Sequence, residues 1–180
     1  MSLKHQFKLL AAYNRWINTK VYKAASDLAP MDLAKDRGAF FASILGTLNH
    51  LIVGDTIWLK RFATHPSCIT SLREVVALAE PTSLNQIVFD DFSDLHKHRD
   101  WLDKQIIDWI DELSDGDLDY TLSYHNSKGV FTRKGYSSLL LHFFNHQTHH
   151  RGQVSALLSQ AGADIGVTDL LVLIPEEPDI

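Results

Sequence analysis

Four histidines, His142, His146, His149 and His150, fall inside nine consecutive positions of a 180-residue chain that carries ten in all. Imidazole can ligate a metal, act as a base or carry a proton near neutral pH, so spacing decides which chemistry is open. On a helix His146 and His150 stand at i and i+4, leaving one face about one turn apart, and can close on a single ion. At about 100° per residue, the apolar stripe through Leu139, Phe143, Val154 and Leu157 contains His150 and is bordered by His146. His142 and His149 project further toward solvent. Imidazoles facing a core must satisfy their nitrogens, through hydrogen bonds or through a metal.

The surrounding pattern predicts the scaffold. Phe7, Leu10, Asn14, Ile17, Val21, Ala24 and Leu28 alternate spacings of three and four, which predicts an amphipathic helix over 4–28, stopped near Pro30. Phe40, Ile44, Leu48, Leu51, Asp55, Trp58 and Phe62 predict a second over 40–63. A short helix is expected over 72–79, capped by Ser71. Phe92, Leu95, Arg99, Leu102, Ile106, Trp109 and Leu113 predict a third long helix over 90–113. Residues 120–124 and 130–132 flank a polar turn ending in Gly129, the pattern of a small β-hairpin. Ser137 is expected to cap the fourth long helix, 137–161, which Gly162 ends, and the tail 163–180 reads as irregular. Four long helices, two short links and one longer connection specify an all-α four-helix bundle, expected as one domain over 1–180.

Composition narrows the function classes. Hydrophobic residues make up 45% of the chain, enough for a full core, and 17 basic against 22 acidic residues give a formal charge of -5. That balance, with the basic residues scattered, argues against nucleic acid or an anionic membrane as a partner. The single cysteine, Cys68, excludes an intrachain disulfide and cysteine-rich zinc sites, and no apolar run approaches a bilayer span. The N-terminal residues lack a secretory pattern, so a cytoplasmic location is expected.

Two charged residues interrupt the apolar seams: Asp55 in the second helix and Arg99 in the third. An acid in a seam must find a partner, either Arg99 or a metal-ligating histidine whose tautomer it would fix. The ion pair is the favoured reading; Asn14 and Gln147 are weaker candidates for the supporting role. His5, His65, His96, His98 and His125 read as surface residues, Arg151 as a solvated charge, and Trp16, Trp58, Trp101 and Trp109 as core or subunit surface. Cys68 lacks the setting of an activated thiol.

Beyond the histidine helix, several segments carry a resemblance. They are Tyr13-Asn14-Arg15-Trp16-Ile17-Asn18, Gly38-Ala39-Phe40-Phe41-Ala42-Ser43-Ile44, Leu48-Asn49-His50 through Asp55 to Trp58, and Asn145-His146-Gln147-Thr148-His149-His150-Arg151-Gly152-Gln153. In this order they resemble the DinB family, the DinB/YfiT-like helical bundles whose members are regarded as metal-dependent enzymes. The resemblance implies one ligand from the second helix and a pair from the fourth: His50, His146 and His150. Periodicity alone places His50 on the flank of its stripe, a surface position.

The resemblance further implies a homodimer and one divalent ion per chain; zinc, nickel, iron or manganese would suit the sequence alike. Three neutral imidazoles leave an open position for water or substrate. The implied activity is that of a metal-dependent transferase acting with a low-molecular-weight thiol. A metal-dependent hydrolase and a non-catalytic metal-binding stress protein are the alternatives.

Overall fold

A computed structural model describes residues 2–68 and 70–176. The side chain of Cys68 and the Glu177-Pro178 end of the tail lie outside the described residues. Helix α1, Leu3–Ser26, starts where the Ser2 hydroxyl accepts the His5 amide at 3.3 Å, taking up one of the donors every helix start leaves unpaired. Pro30, expected as its stop, instead opens a short helix α2, Pro30–Ala34, in the first-turn position that its fixed φ suits. Helix α3, Ile44–Phe62, is capped by Ser43, whose hydroxyl accepts the Gly46 amide at 3.0 Å. Phe40 therefore lies outside the helix, and it is 88% exposed instead of lining the stripe.

Helix α4 spans only Arg73–Val76, and Leu72, with no side-chain bond, occupies the cap position expected of Ser71. Helix α5, Phe92–Glu112, is capped by Asp91 at 3.0 Å from the Asp94 amide. Strands β1, Thr121–His125, and β2, Phe131–Gly135, pair antiparallel with His125 opposite Phe131. Gly129, at φ 74°, closes the turn between them with its amide on Asn126 O at 2.9 Å. The second strand runs straight into helix α6, Tyr136–Gln160, so Gly135 holds the cap and Ser137 lies in the first turn. The Tyr136 amide is met by Tyr120 O at 2.8 Å. From 163 to 176 the tail is irregular, as expected, apart from one short turn. It forms a 3-10 turn at Leu170–Leu173, and Thr168 O accepts the Tyr13 hydroxyl at 2.7 Å, tying it to α1.

The four long helices form the bundle. α1 lies against α5 and α6, and α3 lies against α6 and α5, so α1 and α3 stand diagonally, as do α5 and α6. The connections from α1 to α3 and from α5 to α6 therefore cross the bundle end, while α3 to α5 joins neighbours, and the links 27–43 and 63–91 are longer than the two short ones expected. No helix among the described residues is long and apolar enough to cross a membrane.

A buried polar network ties all four helices. Arg99 on α5 donates to Asp55 on α3 at 2.5 Å and pairs with Asp103 at 2.9 Å. Asn14 and Asn18 on α1 donate to Asp103 at 3.0 and 2.9 Å. From α6, Gln147 donates to Asp55 and Arg151 donates to Asn14. Arg151, expected as a solvated charge, is 3% exposed. Two acids and two guanidiniums balance, which is the condition under which buried charge is tolerated. Gln147 and Arg151 each follow a histidine by one residue, so the network also sets the rotation of α6 that turns His146 and His150 toward α3.

Candidate metal centre

His50 from α3 and His146 and His150 from α6 meet near the α3–α6 contact. One nitrogen from each lies within 4.8 Å of the others. Ring centroids are 4.3 Å apart for His50 and His150, 4.4 Å for His146 and His150, and 5.2 Å for His50 and His146. His50 is only 4% exposed, unlike the surface position its periodicity suggested. The 63–91 connection covers that flank: Leu84 O lies 2.8 Å from His50 Nδ1.

The hydrogen bonds decide the tautomers. A carbonyl can only accept, so His50 Nδ1 carries its hydrogen and Nε2 bears the lone pair. His150 Nδ1 faces Gln153 Oε1 at 2.8 Å, while the Gln153 amide nitrogen faces His149 Nε2 at 3.3 Å, which gives His150 the same tautomer. The two Nε2 atoms then confront each other at 3.1 Å, lone pair to lone pair. Such a contact is repulsive unless a cation lies between them. With Zn–N bonds of about 2.0–2.1 Å and tetrahedral angles, two ligand nitrogens stand about 3.3 Å apart. His146 Nδ1 is buried without a hydrogen-bond partner, so the third imidazole of the trio also carries an unsatisfied nitrogen.

A proton is poorly placed to serve as that cation. Burial, and secondarily the facing imidazoles, push His146 down to about 3. Burial also lowers His50, against the pull of Leu84 O and Asp55, and lowers His150, against the Gln153 hydrogen bond. All three are neutral at pH 7, the state a metal requires of its ligands.

Backbone devices build the walls. Phe41 stacks on His50 with centroids 3.8 Å apart and rings 16° from parallel, and meets His150 edge-on at 5.6 Å. Its loop turns through Ala42 at φ 61°, a left-handed conformation unusual for alanine. Gly46 admits the loop, since a Cβ there would lie 2.2 Å from Phe41 O. Gly54 admits His146 in the same way: a Cβ would lie 2.7 Å from His146 Cε1. On the open side a hollow of about 290 Å³ touches His50, Gly54 and His146 and is walled by Trp58, Arg61, Tyr124 and His142.

Asp55, Asn14 and Gln147, expected as possible supports for metal-ligating histidines, lie in the buried network, and the groups that face the Nδ1 atoms of His50 and His150 are Leu84 O and Gln153 Oε1. The physical reason is charge: Arg99 is the stronger claim on a buried carboxylate, and it draws Asp55 away from the imidazoles. His65, expected at the surface, is 3% exposed, with Nδ1 accepting the Ser67 amide at 3.1 Å. Of the four tryptophans, Trp109 is fully buried and Trp58 lines the hollow. Gly54, inside a helix where glycine is unfavourable, was the sequence signal for a close approach. Leu84 and Gln153 gave none.

Fold and site together define a class: a helical bundle with a largely buried histidine trio spaced to hold a divalent ion. Residues 1–179 match the model of the DinB family, and the chain belongs to it. It is 28% identical over 167 residues to Protein DinB of Bacillus subtilis (strain 168), covering 91% of this chain and 90% of that protein.

Proposed function

We propose that His50, His146 and His150 hold one divalent ion and that the protein is a metal-dependent transferase acting with a low-molecular-weight thiol. The observation that carries the metal is the pair of Nε2 lone pairs facing each other at 3.1 Å, each fixed by an acceptor on Nδ1. The hollow against His50 and His146 supports turnover, because an incoming molecule reaches the centre from that side. A divalent ion on three uncharged ligands keeps its full charge and supplies Lewis acidity, which lowers the pKa of a bound thiol.

The chain's own residues do the rest. Leu84 O and Gln153 hold the ligand nitrogens in register. Phe41 covers His50 and keeps water from that face, which strengthens the electrostatics at the centre. Trp58 and Ile57 offer apolar wall for the body of the thiol. In the transfer the thiol proton leaves to solvent, sulfur bonds to an electrophilic carbon, and the leaving group departs with the electrons of the broken bond.

Metal analysis by mass spectrometry of tag-free wild type, His50→Ala and His146→Ala tests the centre. About one ion per chain, lost in both variants, is expected; full retention in His50→Ala removes the triad. Thiol consumption with 1-chloro-2,4-dinitrobenzene across a panel of small thiols tests turnover. Loaded wild type no faster than the His146→Ala variant would reject the transferase while leaving the metal centre standing.

A further inference from the structure

The hollow beside the histidines contains a cation, Arg61, that no acid among the described residues pairs with. The Arg61 guanidinium sits 4.8 Å from the ring centroid of Trp58 and 4.8 Å from that of Tyr124, held by two aromatic faces. Its Nη2 donates to His125 O at 3.3 Å, and among the described residues it forms no ion pair. Glu80, an acid that acts on it electrostatically, is taken by Lys60 at 2.9 Å. Among the described residues no acidic side chain lines the hollow, and an adjoining one of about 310 Å³, sharing Trp58, Tyr124 and His142, adds Lys134.

A half-buried, stacked guanidinium is a rigid fork of donors matched to a planar oxyanion, and positive walls around a hollow concentrate anions there. The volume of about 290 Å³ is at the small end for ligand sites, which limits the occupant to a few heavy atoms per end. One guanidinium matches one negative charge, and the second cation, Lys134, lines the adjoining hollow and not this one.

We propose that the hollow binds a small carboxylate, its carboxyl group on Arg61 and its other end toward His50 and His146. Arg61 is then a specificity-determining residue for the substrate. The orientation of the far end rests on the metal reading; the carboxylate seat on Arg61 does not.

The test is a calorimetric titration with 3-mercaptopropionate, with 1-propanethiol as its uncharged counterpart and propionate as its thiol-free one. Wild type, Arg61→Gln and Arg61→Lys are compared, zinc-loaded and metal-free, each checked for folding by circular dichroism. In loaded wild type, 3-mercaptopropionate should bind at least about tenfold tighter than 1-propanethiol, the usual gain from a charge-assisted bidentate contact. Arg61→Gln should abolish that difference and leave 1-propanethiol unchanged. Arg61→Lys, which keeps the charge and loses the fork, should retain part of it. Propionate should bind metal-free wild type and lose at least about tenfold in Arg61→Gln, so the seat is read even if no metal binds. Equal affinity of wild type and Arg61→Gln for both carboxylates overturns the proposal.

Discussion

Replacing Gly54 by alanine adds one methyl group against the ring that completes the trio. The new Cβ would lie 2.7 Å from His146 Cε1, whereas carbon atoms rest at about 3.5–4.0 Å, so the ring must retreat by about 1 Å. Metal–ligand distances tolerate only about 0.2 Å, so a ring that has moved that far no longer ligates in place. Zinc affinity, measured by competition with a chromogenic chelator, should fall by at least about 10- to 100-fold, the loss seen when even a supporting contact is disturbed. Stability without metal moves the other way. Alanine gains about 1 kcal/mol over glycine inside a helix, and once the ring swings toward the hollow this raises the midpoint by about 2–4 °C. Gly152→Ala is the matched control, because nothing lies within 4 Å of a Cβ there. It should show the same gain with zinc affinity unchanged. Gly54→Ala protein with wild-type zinc affinity would refute the steric account of His146.

Asp55→Asn should cost about 3 kcal/mol in urea unfolding, since Arg99 and Gln147 lose a buried carboxylate; zinc affinity should stay within about threefold of wild type, and a larger fall would return Asp55 to a supporting role at the metal. Acidification should weaken zinc binding less than ordinary imidazoles would. Three imidazoles at the ordinary value of 6.5 would lose about 50-fold in affinity between pH 7.5 and 6 through proton competition. All three are lowered here, so competition starts at lower pH; with His146 at about 3 its proton no longer competes, which by itself holds the loss below about 15-fold, and a 50-fold loss would contradict the burial argument. Without metal, His146 is about 3 in the folded chain and near 6.5 unfolded, so the unfolded chain binds more protons in that window. Its contribution to stability is complete above about 6.5 and shrinks as pH falls toward 3, which urea midpoints of wild type and His146→Gln should separate.

Sequence alone determined what is local. The three- and four-residue spacings around Ile17, Leu48, Leu102 and Val154 set the four long helices, and the i, i+4 spacing of His146 and His150 put them on one face of α6. The charge in each seam, Asp55 and Arg99, favoured the ion pair over a histidine partner for Asp55, because a buried carboxylate is best met by an opposite charge. Helix starts were less legible: Ser137 and Ser71 are good cap residues, yet the hairpin delivers the chain to α6 at Gly135 and Leu72 holds the cap of α4. His50 shows the boundary most clearly. Its flank position on α3 reads as surface from periodicity, and only the resemblance of Leu48-Asn49-His50 pointed to it. Tertiary structure buries it, because diagonal placement of α1 and α3 and the long 63–91 connection bring Phe41 and Leu84 over that flank. The hollow with Arg61 has the same origin, since its walls come from α3, the 63–91 connection, the hairpin and α6. Periodicity reports which face of a helix turns inward; what covers the remaining faces is fixed by contacts between segments far apart in the chain, which no local pattern encodes.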